Sequence, residues 1–349
     1  LYTSKKNIKM KKKFINKKPF FIAEISGNHN GKIINAKKLI DLAKKGGADA
    51  VKLQTYTPDM MTLKDSNFKI KKGLWAKKNL WDLYKKAHTP LSWHKSLYSY
   101  AKKKKIKIFS TPFSTEGVDF LEKLKNQIYK VSSFEMNDLN LIKKIALTKK
   151  PMIISTGLAS LIEIKKTFSV AKKYGCGDIT LLYCVSNYPS KVTDFNLNNI
   201  EILKKIFKCR VGLSDHSLGS NIASLAISKG AEIIEKHICL KSVKSVDSKF
   251  SLKENEISKF RQHIDETYQL IKNTSYIRSK DEIKNKIFRR SVYAIKDIKK
   301  GEKFLISNIK TFRPNIGLDA NHYIDLLNKK SPFNVKKNQP LSKTLIKKL

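Results

Sequence analysis

The sequence predicts an α/β protein that consists of a (β/α)8 (TIM) barrel followed by a small β-rich domain. Eight short apolar runs alternate with amphipathic helical patterns along most of the chain. The runs are apolar throughout, which is typical of parallel strands that are covered on both faces. Eight such units favour a closed barrel over an open doubly wound sheet. After about residue 288 the composition changes to short β-like runs with turn signals.

Each predicted strand ends in polar residues, and a helical pattern follows it. In chain order the predicted strands span residues 20–25, 50–54, 106–113, 128–133, 152–157, 179–186, 210–216 and 231–238. The first helical pattern, INAKKLIDLAKKGG, has apolar residues at helical spacing. It ends in Gly46 and Gly47, and glycine is the residue that most often terminates a helix.

The connection between residues 55 and 90 departs from this regular pattern, because it is too long for a simple turn. It contains Trp75, Trp81 and Tyr84, so we interpret it as a candidate lid or substrate wall. Its segment NLWDLYKKA also has helical spacing, and packing of these aromatic side chains onto the barrel is an equally good interpretation.

The domain boundaries follow from changes in composition. The first 18 residues form a basic extension that we leave out of the fold prediction, and the barrel spans 19–272. A polar linker spans 273–287, and the terminal domain spans 288–349. A domain of this size is near the lower limit for independent stability, so we expect it to dock on another surface.

The composition argues against several classes of protein. The net charge is +43, but the lysines are spread over nearly every helix and loop, and only six of the 72 basic residues are arginine. This distribution favours solvated lysine-rich faces over a specific nucleic-acid surface. No apolar run reaches the roughly 20 residues of a membrane span, and the four cysteines form neither a CxxC pair nor a zinc spacing. We therefore predict a cytoplasmic protein with reduced thiols, no membrane association and no specific nucleic-acid partner.

Polar side chains collect at the carboxyl ends of the predicted strands. The active site of a (β/α)8 barrel lies at that end, so we expect these side chains to face one site. They are Glu24, Lys52, Gln54, Ser110, Thr111, Lys130, Ser132, Ser133, Ser155, Thr156, Ser186, Asn187, Tyr188, Ser214, Asp215, His216, Glu235 and His237. Any single serine could instead cap a helix, but the repetition, with two lysines and two histidines, indicates a functional rim.

Several motifs resemble those of the sialic acid synthase family. They are FIAEISGNHNG, GADAVKLQT, FSTPF, YKVSSFE, IISTG, GLSDHSLG, EKH and the terminal FRP. The resemblance extends over nearly the whole chain from Pro19, and it implies a phosphoenolpyruvate-condensing barrel followed by an antifreeze-like (SAF, β-clip) domain. The motifs SGNHN, NLWDLYKKAHTP and DSKFSL are most similar to the branch whose acceptor is 2,4-diacetamido-2,4,6-trideoxy-L-altrose.

The resemblance implies two sets of substrate-binding residues. The phosphoenolpyruvate-binding positions are Lys52, Thr111, Lys130, Ser133, Ser155, Ser186 and Ser214. They suit this substrate, because fixed cations and hydroxyl donors bind both a phosphate and a carboxylate. The positions that correspond to the acceptor sugar are Gln54, Tyr188, Asp247 and Arg313. The implied reaction joins C3 of phosphoenolpyruvate to the C1 aldehyde of the open-chain sugar, and water addition with loss of phosphate gives a nine-carbon 2-keto acid.

His216 and His237 end neighbouring predicted strands, which lie about 4.8 Å apart, so their imidazoles can point at one divalent ion. The resemblance implies Mn²⁺, with Mg²⁺ or Co²⁺ as alternatives, acting as a Lewis acid on the aldehyde oxygen. Glu24 is the candidate that orients or deprotonates water or a sugar hydroxyl, and Glu235 is a further acid or base, or a partner of His237 or of a bound water. A structural ion pair between Glu24 and Lys52 is an alternative that stays open.

The resemblance also implies a domain-swapped homodimer, in which the terminal domain reaches over the barrel of a second subunit and Arg313 lies above the N-acetyl group of the sugar. Three other functions stay open. An N-acetylneuraminate or legionaminate synthase would share the barrel and differ only in the pocket. An octulosonate-type synthase would use a similar barrel but would not explain the terminal domain. A basic nucleic-acid-binding protein is the alternative that is not an enzyme.

Overall fold

The computed structural model describes residue 15 and residues 19–64, 69–71 and 73–348 of the chain. The chain folds into two compact units, the first of which ends at Asn273 and the second of which begins at Thr274. Of the predicted basic extension, only Ile15 belongs to the described residues, and it is buried inside the first unit. The extension was left out of the fold prediction, which therefore did not anticipate this contact.

Eight parallel strands form a closed barrel in the first unit. They are β1 Phe20–Glu24, β2 Ala50–Thr55, β3 Lys107–Pro112, β4 Tyr129–Val131, β5 Met152–Ser155, β6 Ile179–Cys184, β7 Arg210–Asp215 and β8 Ile233–Cys239. Each strand pairs with the next in the chain, and β8 pairs back with β1, which places Glu24 opposite His237. A two-residue strand, β9 Leu252–Lys253, continues the pairing from β8. The predicted (β/α)8 barrel is confirmed.

Helices connect the strands and cover them. They are α1 Ile33–Lys45, α2 Pro58–Met61, α3 Leu80–Ala87, α4 Leu91–Lys103, α5 Thr115–Lys123, α6 Leu139–Leu147, α7 Leu161–Lys173, α8 Asn198–Phe207, α9 Asn221–Ser228 and α10 Asn255–Ile271. Side-chain caps define several of their starts, because the first backbone amides of a helix lack partners within it. The Ser114 hydroxyl accepts from the amide of Gly117, and Ser160 and Glu163 form a capping box at the start of α7.

The alternation of side chains along the strands separates two apolar regions. Outward-facing residues such as Phe21 and Val51 pack against the buried faces of the helices. Inward-facing residues form the apolar floor of the barrel: Phe20, Ile22, Ala50, Phe109, Ile128, Ile153, Leu182 and Ile233. Because side chains alternate with a period of two, the next inward positions form a polar layer above the floor: Glu24, Lys52, Thr111, Lys130, Ser155, Cys184 and Glu235. The alternation along the strands therefore puts the polar side chains together inside the barrel, toward the carboxyl ends of the strands.

Each predicted strand is present, although several are shorter than predicted. The predicted strand 128–133 is a strand only over Tyr129–Val131, because the chain turns at residues 133–137. The long connection after β2 contains α2 and α3, and residues 65–68 and 72 of it lie outside the described residues.

The second unit is small and contains little regular structure. Its elements are α11 Lys280–Lys284, β10 Ser291–Ala294, β11 Ile309–Phe312 and α12 Tyr323–Leu326. The two strands pair in antiparallel fashion, and single bridges join Ile298 to Val335 and Tyr293 to Pro340. The unit has its own core, which is formed by Val292, Ala294, Ile298, Phe304, Ile309, Leu318, Leu326, Val335, Leu341 and Leu345. In neither unit do the described residues include a helix that is long and apolar enough to cross a membrane.

Candidate active site

A cavity of about 370 Å³ opens above the polar layer, at the carboxyl ends of the barrel strands. The predicted site residues that line it are Lys52, Gln54, Lys130, Ser133, Ser155, Tyr188, Ser214, His216, Glu235, His237 and Asp247. The long connection after β2 contributes a wall through Tyr56, Trp75 and Tyr84. Much of the rim predicted from the sequence therefore converges on one space. The predicted residues that do not line it are Glu24, Ser110, Thr111, Thr156, Ser186, Asn187 and Asp215.

Lys52 is the centre of a buried charge cluster. Its Nζ lies 2.8 Å from Glu24 Oε2 and 3.5 Å from Glu235 Oε1, and it donates a hydrogen bond of 3.2 Å to Thr111 Oγ1. Burial alone would lower the pKa of Lys52, but the carboxylates of Glu235 and Glu24 raise it overall. Lys52 therefore keeps its charge in a site that excludes most water, and the ion pair with Glu24 that the sequence left open is present.

Lys130 is a second buried lysine, and its ammonium group donates hydrogen bonds to neutral oxygens. Its Nζ donates to Ser155 Oγ at 2.6 Å and to the carbonyl of Val131 at 2.8 Å. Burial lowers the pKa of Lys130, and the charge of Lys52 acts in the same direction. Two lysines and a row of hydroxyls in one layer create a positive, donor-rich pocket, which favours an anion with several oxygens.

Gly157 brings two further hydroxyls close to the backbone of the site. Its amide donates to Ser133 Oγ at 3.1 Å. A β-carbon at this position would lie 2.3 Å from Ser186 Oγ and 2.8 Å from Ser133 Oγ, so the close approach requires glycine. Ser186 and Thr111 contact the site residues but do not line the cavity themselves.

The two buried glutamates have different surroundings. Glu24 Oε1 accepts from the amide of Gln54 at 3.0 Å, and burial raises the pKa of Glu24 despite the neighbouring Lys52. Burial also acts to raise the pKa of Glu235, but the charges of Lys130 and Lys52 lower it overall. Glu235 Oε1 accepts from Ser214 at 3.4 Å, and Glu235 Oε2 is buried without a hydrogen-bond partner among the described residues.

The His216 and His237 rings lie side by side in the cavity wall, with centroids 5.3 Å apart. His216 Nδ1 lies 3.1 Å from the carbonyl of Val185, which leaves Nε2 as the nitrogen with a free lone pair. His237 Nδ1 is buried, 3.6 Å from Asp247 Oδ2, and has no hydrogen-bond partner within the described ranges. Across those ranges, no group of three or more His, Cys, Asp or Glu side chains could hold a metal. Two imidazoles are fewer than the three protein ligands of most catalytic metal sites, so an ion held there would take its other ligands from water or substrate.

An aromatic wall adjoins the two histidines. The Tyr188 ring packs against His216 and Trp75, with centroid distances of 4.5 Å and 5.3 Å. Trp75 Nε1 donates to the carbonyl of Val246 at 3.2 Å, so the connection after β2 is tied to the loop after β8. Trp81 instead donates to Asp59 in a more exposed position. Trp75 therefore forms part of the cavity wall, whereas Trp81 packs within the connection itself.

Several cavity residues were not singled out from the sequence, among them Ser26, Glu135 and Cys184. Ser26 follows β1, and Glu135 follows β4 and accepts a hydrogen bond from Ser132. Burial raises the pKa of Glu135 to about 7. Cys184 lies 3.8 Å from His216 Nδ1, and His216 lowers the pKa of this thiol against the effect of burial. Glu135 ends the motif YKVSSFE, so its position after a strand was the available signal. The remaining predicted residue, Arg313, belongs to the second unit.

The comparisons with known proteins agree on one family. The model of the NeuB family matches residues 39–276. The chain is 44% identical over 323 residues to the pseudaminic acid synthase of Campylobacter jejuni, covering 92% of this chain and 94% of the relative. It is 38% identical over 330 residues to the N,N'-diacetyllegionaminic acid synthase of the same organism, covering 93% and 98%. The crystal structure of the N-acetylneuraminic acid synthetase of Leptospira borgpetersenii superposes with a TM-score of 0.69 at 30% identity, covering 77% of this chain and 90% of that one.

Proposed function

The chain belongs to the NeuB family, and from this premise we propose that it acts as a pseudaminic acid synthase. The reaction condenses phosphoenolpyruvate with 2,4-diacetamido-2,4,6-trideoxy-β-L-altropyranose and water, and it gives pseudaminic acid and phosphate. Identity to the pseudaminic acid synthase, 44%, exceeds identity to the legionaminic acid synthase, 38%, which favours this acceptor. The observation that supports this function most directly is a single buried layer of side chains. It contains two lysines, several hydroxyls and two glutamates, and it lies beside two histidines.

We assign phosphoenolpyruvate to the polar layer. The buried ammonium groups of Lys52 and Lys130 offer the fixed positive charge that a phosphate and a carboxylate need. Hydroxyl and amide donors complete the binding site; they come from Thr111, Ser133, Ser155, Ser186, Ser214 and the backbone of Gly157. Because the layer lies directly on the apolar floor, little water competes for these donors.

The acceptor sugar binds in the outer part of the cavity, against Gln54, Tyr188 and Asp247. Its aldehyde carbon must face C3 of phosphoenolpyruvate, so its other end extends toward the aromatic wall of Trp75 and Phe250. A trideoxy sugar has fewer hydroxyls than an ordinary hexose, and an aromatic wall suits its methyl group.

In this reaction the C3–C1 bond forms, water adds at C2 of the phosphoenolpyruvate unit, and the C2–O bond to phosphate breaks. Glu235 is the group that takes the proton of the water at Oε2, because that oxygen has no hydrogen-bond partner among the described residues and the two lysines keep the carboxyl ionised. Glu24 orients the site, since its oxygens face Lys52 and Gln54.

His216 and His237 are the residues that would hold a divalent ion, Mn²⁺ in preference to Mg²⁺ or Co²⁺. When bound, the ion would supply Lewis-acid polarisation of the acceptor aldehyde. The support is the buried Nδ1 of His237, which has no hydrogen-bond partner among the described residues, and the position of both rings in the cavity wall. Burial holds the pKa of His237 well below its usual range, so this imidazole is neutral, as a metal ligand must be. The neighbouring Cys184 raises the pKa of His216 against the effect of burial, so an ion bound there would displace a proton when His216 is charged.

We further propose that residues 288–349 form an antifreeze-like SAF domain, which completes the site of a second subunit in a domain-swapped homodimer through Arg313. The rim of the barrel supports this proposal, because large apolar side chains there are exposed: Phe134, Leu158, Ile162, Val192 and Leu218. Exposed apolar patches often mark protein interfaces. The cytoplasm is the expected compartment, where the four free cysteines stay reduced.

Phosphate release tests the proposed function. The purified protein is given phosphoenolpyruvate and Mn²⁺ with the diacetamido-trideoxy-altrose, with the corresponding legionaminate-pathway sugar, or with N-acetylmannosamine. We expect release with the altrose sugar in large excess over the other two. If the protein prefers another sugar, the proposed type of reaction stands and the proposed acceptor is wrong. No release with any of the three would refute the proposal.

A further inference from the structure

We propose that Ser26 is a positioning residue for the acceptor sugar, because its hydroxyl joins Gln54 to Asp247 across the cavity. This inference rests on the proposed function and adds a residue to it. Ser26 begins a single 3-10 turn, Ser26–His29, between β1 and α1. The turn belongs to the motif SGNHN, to which the reaction as described above assigns no role.

The backbone of Ser26 adopts a conformation that favours glycine. Its φ is +48°, in the left-handed region. A side chain at such an angle is less stable than glycine would be, and residues of this kind are concentrated at functional sites. Ser26 is nevertheless buried and lines the cavity. A serine therefore occupies a position at which the backbone conformation alone would favour glycine.

The Ser26 hydroxyl uses both of its hydrogen-bonding capacities. It donates to Asp247 Oδ2 at 2.6 Å and accepts from Gln54 Nε2 at 3.1 Å. The contact to Asp247 spans 221 positions of sequence and links the turn after β1 to the loop after β8. One hydroxyl thus fixes the two side chains that the family resemblance assigns to the acceptor.

These bonds decide which atoms remain for a substrate. Gln54 Nε2 also donates to Glu24 Oε1 at 3.0 Å, so both amide hydrogens of Gln54 are used. A carboxylate only accepts, which sets the orientation of this amide and leaves the Gln54 carbonyl oxygen as an acceptor. With Oδ2 of Asp247 held by Ser26, the other carboxyl oxygen is the second acceptor. Two acceptors on one wall match a ligand with N–H or O–H donors, and acetamido groups carry N–H.

The rest of the turn holds Ser26 in place. The Asn28 amide donates to the carbonyl of Ile238 and to Ser251, and its oxygen accepts from Ser245 and from the amide of Asp247. A β-carbon on Gly27 would lie 2.8 Å from both Ala87 O and Val246 Cγ2. The contacts of Gly27 and Asn28 therefore hold the backbone of the turn in place. Because of them, we expect removal of the Ser26 hydroxyl to leave the backbone path unchanged.

The test compares Ser26→Gly and Ser26→Ala with the wild-type protein, with Mn²⁺ present throughout. Asn30→Gly is the matched control, because Asn30 has a φ of +47° in the same segment, is exposed and does not line the cavity. The measurements are the melting temperature and the KM for each substrate. A crystal structure of Ser26→Gly is a readout that does not depend on turnover.

For Ser26→Gly we expect an unchanged or higher melting temperature, a KM for the acceptor raised about tenfold and a KM for phosphoenolpyruvate changed by less than about twofold. The crystal structure should show the Gln54 amide or the Asp247 carboxylate in a different rotamer. A merely structural role would lower the melting temperature and leave the acceptor KM unchanged, which would overturn the proposal. Unchanged rotamers would overturn it too. If the wild-type protein itself releases no phosphate, the proposed function is refuted. In that case the rotamers of Gln54 and Asp247 in the Ser26→Gly crystal structure alone test whether Ser26 positions these side chains.

Discussion

At the scale of single residues, the environment separates two carboxyl groups that the sequence does not distinguish. Glu24 and Glu235 both occupy the polar layer, yet the pKa of Glu24 is raised and that of Glu235 is lowered. The cause is position, because Glu235 lies near both buried lysines. When neighbouring carboxyl groups have pKa values that their environments shift in opposite directions, the two groups can take different roles in acid–base catalysis.

The two glutamates are expected to respond differently to removal of charge. We predict that Glu235→Gln lowers kcat by about 10³-fold, which is typical of the loss of a general base. Glu24→Gln should lower kcat by only about tenfold, because Lys52 loses one counter-charge while the new amide oxygen can still accept from Gln54. Steady-state kinetics on both variants, with melting curves as the control for folding, decide between the roles. A larger loss of kcat in Glu24→Gln would reverse the assignment.

Glu135 should make the stability of the protein depend on pH. Its pKa rises from 4.5 in the unfolded chain to about 7 in the folded one. The folded state therefore binds this proton more tightly, so stability is lost as pH rises from about 4.5 to about 7 and is constant above that. Glu135→Gln should increase the free energy of unfolding at pH 8 on the order of 2 kcal/mol, with a smaller gain at pH 5.

Urea unfolding of Glu135→Gln at several pH values measures this effect. Glu266→Gln, at an exposed position of α10, is the control. A gain that is equal at pH 5 and pH 8 would show that Glu135 is not protonated in this range.

The residues missed from the sequence have one physical feature in common. Ser26 and Glu135 follow strands and line the cavity. The partner of Ser26 lies 221 positions away in the sequence, and the burial that raises the pKa of Glu135 comes from tertiary structure. Residue patterns report which strand ends are polar. They do not report which of these groups meet, or how burial changes their pKa values.

At the scale of elements, the strands were the most predictable feature. Continuous apolar runs indicate parallel strands buried on both faces, and the period of two then assigns each side chain to the floor, the polar layer or the outer core. The outer side of β7 and β8 carries an exception to this apolar pattern. Asp215 and Lys236 are opposite each other in register, and their side chains are fully buried with Nζ 2.7 Å from Oδ2.

This ion pair lies behind the two histidines, and it is expected to hold β7 against β8. Lys236 Nζ also donates to the carbonyl of Ser217 at 2.5 Å, which anchors the turn after β7. Lys236→Met should cost about 3–5 kcal/mol of unfolding free energy, because it leaves a buried carboxylate without a counter-charge. The double variant with Asp215→Asn should recover most of this loss.

Denaturant unfolding of both single variants and the double variant gives the coupling energy. Lys229→Met, which removes an exposed partner of Glu201, is the control and should cost less than about 1 kcal/mol. Additive effects of the two buried substitutions would mean that the pair does not act as a unit.

At the scale of the whole molecule, the two compact units divide the chain at residues 273 and 274. The sequence predicts a boundary near this position from the change in composition and periodicity. The position of one unit against another cannot be obtained in this way, since it depends on surfaces rather than on the local pattern. Arg313 belongs to the second unit, and the proposed dimer is the arrangement in which its contribution to the site can be tested.

Mixing two inactive variants tests that dimer. In a domain-swapped dimer, a Glu235→Gln subunit and an Arg313→Ala subunit together build one intact site out of two. After subunit exchange, an equal mixture should regain about a quarter of the wild-type activity, because half of the dimers are mixed. Light scattering reports the oligomeric state in parallel. No regain of activity between variants that do exchange subunits would place Arg313 and Glu235 in separate sites, or in one site of a single chain.

The apolar floor also governs the order of events. It closes the barrel at one end, so the cavity is entered and left through the rim alone. Lys52 lies one inward position deeper along β2 than Gln54, and phosphoenolpyruvate as assigned here therefore sits beneath the sugar. A molecule that binds beneath another must arrive first, so phosphoenolpyruvate is expected to bind before the sugar. On this assignment, the closed floor predicts a ternary-complex mechanism with an obligatory order of substrate binding, and the same apolar runs that specify the barrel set that order.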